Sequence, residues 1–100
     1  MRSYQLTLDA EQDLREIAEY TVRVWGENQL KKYQDGLLKT INQIVESPYS
    51  GKLVSKKHPE LLAVKHQQHI IFYLVEDPIT IIGVIHEKRD VVKHLYQRLE

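Results

Sequence analysis

Cysteine is absent from the 100 residues, so no disulfide framework and no thiolate metal site is expected. Long apolar runs are missing too. None approaches the roughly 18 residues that a membrane-spanning helix requires, and the opening MRSYQLTLDAEQ has no apolar core of a secretory signal. The expectation is a cytoplasmic protein with no membrane association. An excess of one charge is also lacking: 14 basic residues balance 14 acidic ones. A protein that holds nucleic acid chiefly through phosphates carries a marked basic excess, and this chain does not. Locally the balance tips, with three basic and six acidic residues in 1–30 but seven basic and three acidic in 31–66. No Gly-rich phosphate loop, Ser-His-Asp order, internal repeat or linker is found.

What is present suits one globular domain over residues 1–100: 42% apolar and 28% charged residues, on a chain near the common domain length. SYQLTL (3–8) alternates as a half-buried strand does. Thr7 or Asp9 can cap a helix whose Leu14, Ile17, Ala18, Thr21, Val24 and Trp25 recur at spacings of three and four, and Gly26 is a fitting stop. A second helix is predicted over about Asn28–Glu46, on Leu30, Tyr33, Leu37, Ile41 and Ile44, and ends at Ser47-Pro48. The short connection folds the two into an αα-hairpin. In this pattern Trp25 and Tyr33 read as packing residues, and Asp13 and Arg15 as exposed local pairs.

Residues 49–60 read as a polar loop, followed by strands at about 61–66, 69–76 and 79–86, with Asp77-Pro78 turning between the last two. DVVKHLYQRLE returns to helical spacing. The expected fold class is α+β: an αα-hairpin on a small, mainly antiparallel sheet, in the order β-α-α-β-β-β-α. In HIIFYLV (69–75) both alternate sets are largely apolar, so both sheet faces require cover. The hairpin covers one. The barely three-turn tail helix covers part of the other, and the reading favours an exposed apolar strip there over complete cover.

Several stretches together resemble the ParE toxins of the RelE/ParE superfamily of toxin–antitoxin modules, nearest their plasmid-maintenance branch. They are LTLDAEQDLREIAEYTVRVWGENQLKKY, the hairpin HIIFYLV and the closing VIHEKRD before a short helix. The resemblance spans roughly residues 3–99, and rests on order and spacing rather than on one specific motif. It implies a toxin that inhibits DNA gyrase and blocks replication, and a cognate antitoxin, ParD-like or other, joined to it in a hetero-oligomer. It implies no enzymatic activity, no cofactor and no metal. Target-binding candidates are His86, Lys88 and Arg89. Antitoxin-binding candidates are Ile71, Tyr73 and Val75 on the sheet with Val92, Leu95 and Leu99 in the tail.

The alternative is the chemistry of the RelE branch, ribosome-dependent cleavage of mRNA. Such cleavage needs a proton acceptor, cations around the phosphate and an acid for the leaving oxygen. Lys65, His66, His69, His86, Lys88, Arg89 and Tyr96 supply the types, but their spacing departs from the RelE set. Leu62 is a further departure, since many ParE proteins carry Arg there. His66-x-x-His69 lacks a third metal ligand, and HEKRD also reads as a solvated turn in which His86 and Arg89 pair with Glu87 or Asp90.

Overall fold

The computed structural model describes residues 3–89 and 91–99, with the backbone alone over 91–94. Strand β1 (Tyr4–Leu6) leads into α1 (Leu8–Trp25) and α2 (Glu27–Glu46), and a 3-10 turn (Pro48–Ser50) follows. Then come β2 (Lys52–Leu53), β3 (Leu61–His66), β4 (His69–Leu74), β5 (Ile79–His86) and α3 (Val91–Leu99). The sheet order is β1-β5-β4-β3-β2, with β1 parallel to β5 and every other pair antiparallel. The α+β architecture and the helical hairpin are as the sequence predicts. The two-residue β2 lies in the stretch read as loop, too short to show any periodicity.

Local chemistry sets the helix ends. The Thr7 hydroxyl accepts from the Ala10 N–H at 3.1 Å, and Asp9 and Glu11 sit in the positively polarised first turn of α1. Gly26 adopts φ +91°, and its N–H donates to Thr21 and Val22 carbonyls at 3.1 and 3.0 Å. That conformation belongs to glycine, which lets α2 start at the very next residue.

The αα-hairpin covers one face of the sheet. Tyr33, Leu37, Ile41 and Ile44 of α2 and Ala10 of α1 pack there on Leu62, Ile71, Tyr73, Ile79, Ile81 and Val84. On the opposite face Leu61, Phe72, Ile82 and Ile85 form a second core closed by Leu95 of α3, which has no exposed surface. Val54, Ala63, Ile70, Leu74 and Leu99 fill its margin. The expected apolar strip on this face is therefore corrected. Burying one leucine side chain is worth roughly 1.5–3 kcal/mol, so Leu95 makes a short helix an adequate lid when the segment around Val54 closes the flank.

A bulge in β5 divides the strand between the two cores. Phe72 faces Gly83 while Tyr73 faces Ile81, which leaves Ile82 as the extra residue. Ile79, Ile81 and Val84 accordingly join one core, and Ile82 and Ile85 the other. The near-continuous run ITIIGVI reflects this two-sided burial.

The exposed aromatics lie elsewhere. Trp25, expected to pack, is 69% exposed, and Tyr20 and Val24 are exposed on α1 as well. Only Ala10, Asp13 and Thr21 of that helix are buried. Tyr33 is buried as expected.

Candidate functional site

Asp13 occupies a buried helical position between Ala10 and Ile17, and a carboxylate there requires strong partners. It has them. Its Oδ2 accepts from Arg98 Nη1 at 2.7 Å and from the Val84 N–H at 3.0 Å, and its Oδ1 accepts from Arg98 Nη2 at 3.1 Å. Arg98 Nη1 also donates to the Ile82 carbonyl at 3.0 Å. The carboxylate beside it raises the Arg98 pKa, so the fork stays charged. Gly83 leaves room for the guanidinium, because a Cβ there would lie 2.7 Å from Arg98 Nη1. The expectation of exposed local pairs at Asp13 is thereby corrected: it clasps α1 to α3 across the edge of β5.

Beside this clasp runs a groove of about 920 Å³. Ile17, Tyr20 and Thr21 of α1, with Trp25 at its end, form one wall. Gln67, Gln68 and His69 at the β3–β4 turn form the other, and Val84, His86 and Arg89 lie along its edge. Tyr33 and Gln29 of α2 reach it as well.

Three histidines gather at this end of the sheet. The Tyr33 hydroxyl lies 3.1 Å from His69 Nδ1, the rings of His69 and His86 stand 5.4 Å apart edge to face, and the His66 ring is 5.0 Å from that of Tyr33. Burial, with His86 and His66 adding to it, lowers the His69 pKa. Burial pushes the Tyr33 hydroxyl up to about 12. A protonated phenol beside a neutral imidazole suits donation from Tyr33 to Nδ1 when the ring proton sits on Nε2. The group presents polar surface next to Arg89. Among the described residues no cluster of three or more His, Cys, Asp or Glu could hold a metal ion, and no helix is long and apolar enough to cross a membrane.

Of the target-binding candidates, the structure brings His86 and Arg89 together in the groove, whereas Lys88 lies in the turn outside its lining. The Lys88 N–H donates to His86 Nδ1 at 3.2 Å, and the Arg89 N–H to the His86 carbonyl at 3.0 Å. Glu87 pairs not with its neighbours but with Lys65 Nζ, at 2.8 Å. Asp90 lies outside the described residues.

The antitoxin candidates do not form one surface. Ile71 and Tyr73 have no exposed area and sit with the half-buried Val75 beneath the helical hairpin, while Leu95 and Leu99 belong to the opposite core. The Tyr73 hydroxyl donates to the Pro48 carbonyl at 2.6 Å, an internal use of that group. Since α1 and α2 cover one set and α3 contributes the other, Ile71, Tyr73 and Leu95 offer no surface to a partner in this conformation. The Val92 side chain lies outside the described residues. Sequence reasoning missed Asp13, Arg98, Tyr20 and Trp25 as parts of this region. For Asp13 a signal existed, a carboxylate on the apolar stripe of α1.

With this geometry in view, comparison with known proteins is informative. Residues 4–91 match the family described as "ParE toxin of type II toxin-antitoxin system, parDE". A toxin ParE of Escherichia coli is 32% identical over 102 aligned residues, covering 100% of this chain and 99% of that protein. A toxin ParE1 of Caulobacter vibrioides is 30% identical, covering 95% and 99%. A solved structure titled "Chromosomal ParDE TA system from P. aeruginosa" superposes with a TM-score of 0.70 at 17% identity, covering 86% of this chain and 96% of that one. This last likeness concerns the fold alone.

Proposed function

The chain belongs to the ParE toxins of type II toxin–antitoxin systems, and from that premise we propose that it acts by binding rather than by catalysis, inhibiting DNA gyrase until a cognate antitoxin covers it. The observation that carries this reading is the groove, where Trp25 and Tyr20 stand 69% and 53% exposed beside His86 and Arg89. Trp, Tyr and Arg dominate the energetic centres of protein interfaces, and large aromatics left in water on a small domain mark surfaces that a partner dries.

A second reading, ribosome-dependent cleavage of mRNA, draws on the Tyr33, His69 and His86 group beside Arg89. Here the chemistry is unfavourable. A phenol with its pKa near 12 is a weak acid at neutral pH, and a cleaving centre also needs cations converging on the phosphate. Lys65 of β3 is engaged with Glu87.

The deciding experiment uses purified gyrase and relaxed plasmid with no ribosome present. Loss of supercoiling and accumulation of cleaved DNA is the expected outcome. Intact supercoiling at large excess of the chain, with cuts appearing in message on programmed ribosomes, would transfer the function to the RNA reading. Replacing Lys88 and Arg89 together by Ala is expected to weaken gyrase inhibition about tenfold, on the order of 1.4 kcal/mol. The loss should grow with salt, since exposed charges are screened. A fully active double variant would remove this turn from the target surface.

A further inference from the structure

The outer edge of a sheet carries backbone donors and acceptors that must be paired, covered or left open to another chain. Along β5 this chain satisfies them one after another. The Ile79 N–H donates to the Ser3 carbonyl at 3.0 Å, and the Ile81 carbonyl accepts from the Thr7 N–H at 3.1 Å. Past the end of β1, Arg98 serves the Ile82 carbonyl and Asp13 the Val84 N–H, each at 3.0 Å. The clasp thus stands in for a missing strand.

The next two groups on this edge are the Val84 carbonyl and the His86 N–H. Their direction follows from the ladder. Val84 sends its N–H outward to Asp13, and in an antiparallel pair every second residue repeats that orientation. His86 agrees, since its carbonyl accepts from Arg89 in the turn, while the Glu87 N–H turns back to the Gln68 carbonyl at 2.9 Å. Among the described residues neither the Val84 carbonyl nor the His86 N–H meets a partner, and both residues line the groove.

We propose that this open stretch of β5 seats an extended segment of the antitoxin, which adds to the sheet as a short parallel strand in line with β1. The proposal rests on the toxin reading above and gives it a place. Orientation follows from which groups are free. In a parallel pair one residue donates to the carbonyl on one side of its opposite number and accepts from the N–H on the other. A single antitoxin residue opposite Ile85 therefore satisfies Val84 and His86 together. An antiparallel strand would need the Val84 N–H and the His86 carbonyl as well, both already engaged. Ile17 and Tyr20 supply an apolar wall for the segment, and Arg89, at the end where a parallel strand leaves, favours an acidic residue there. Occupancy would cover His86 and Arg89, so neutralisation is occlusion of the groove.

A single-stranded nucleic acid is the competing occupant, because Tyr20 and Trp25 could stack bases. Glu16 lines the same groove, however, and its carboxylate repels phosphates, while Asp13 is already matched by Arg98 and adds no attraction for them. Glu16 favours a peptide.

The test uses the full chain, isotope-labelled, with the protein encoded by the reading frame adjoining its gene. In the complex, amide exchange at His86 should slow by about tenfold or more, and Arg89→Glu should weaken binding by about tenfold. A complex that forms and neutralises while His86 exchange is unchanged overturns the strand site and leaves the toxin reading standing. Failure of the adjoining product to bind or neutralise at all counts against both. Protection of His86 by a poly-dT oligonucleotide in place of the antitoxin would hand the groove to nucleic acid.

Discussion

Replacing Asp13 by Ala tests the clasp directly. The substitution leaves the Arg98 side chain, only 17% exposed, with just the long 3.9 Å contact to Asp9, and leaves the Val84 N–H without an acceptor. Breaking a buried pair by removing one partner costs about 3–5 kcal/mol. Water can reach part of Arg98, and its bond to the Ile82 carbonyl survives, so the lower end, about 3 kcal/mol, is expected. For a domain of this size each kcal/mol shifts the melting temperature by roughly 4–8 °C. Thermal melting should therefore fall by roughly 12–24 °C for Asp13→Ala. Arg98→Met keeps much of the apolar stem and should cost about 2 kcal/mol, because the Asp13 carboxylate keeps its bond to Val84. With both changed, no buried unpaired charge remains, and a double-mutant cycle should return a coupling of about 2 kcal/mol. Additive effects, or single variants within about 0.5 kcal/mol of the parent, would show that α3 is held by Leu95 alone and refute the role given to the clasp.

Three further outcomes are expected. His69 has a pKa held below its ordinary value near 6.5, so the folded state favours the neutral ring. Stability on this account is complete above about pH 6.5 and falls as pH drops from there toward the folded-state pKa, where the loss levels off. Melting at pH 7.5 and 5.5 should show the decline, and His69→Gln should reduce it; an identical decline in the variant would assign it to other groups. Gly26→Ala meets no atom within 4 Å but forces an alanine to φ +91°, so a loss of roughly 1–3 kcal/mol in chemical denaturation is expected from the backbone alone. Trp25→Ala should leave stability within about 0.5 kcal/mol and yet weaken partner binding by about 2 kcal/mol, near thirtyfold in Kd by calorimetry. Unchanged affinity would exclude Trp25 from the interface.

The sequence made the helices legible because both are long, periodic and bounded by residues with distinct backbone or capping chemistry. Thr7, Gly26 and Ser47-Pro48 mark their ends in the structure as in the sequence. The β4–β5 pair was equally plain from its apolar runs and from Asp77-Pro78. What periodicity could not reveal is which side of a helix meets the sheet at each turn. Trp25 lies in register with the apolar stripe, but the last turn of α1 faces water, with Val22, Val24 and Trp25 all exposed. Asp13 posed the opposite problem: its partners are 71 and 85 residues away, beyond any local pattern. The second sheet face was misread because the amount of cover that α3 gives depends on how deeply Leu95 sinks, which is a matter of packing. In the candidate site, His86 and Arg89 were legible as a pair. Their assembly with Tyr20 and Trp25 required the fold.

The parallel pairing of β1 with β5 and the link from Asp13 to Arg98 also govern when the protein can complete its fold. Both join residues 75 to 85 positions apart, and such contacts form late because loop closure must precede them. During synthesis α1 and α2 can pair as soon as they emerge, but the edge of β5 stays unclosed while residue 98 is still inside the ribosome. Until residue 98 emerges, the nascent chain lacks the clasp and the second core that Leu95 seals. In that interval a partner already present in the cell can meet the open edge before the chain has closed upon itself.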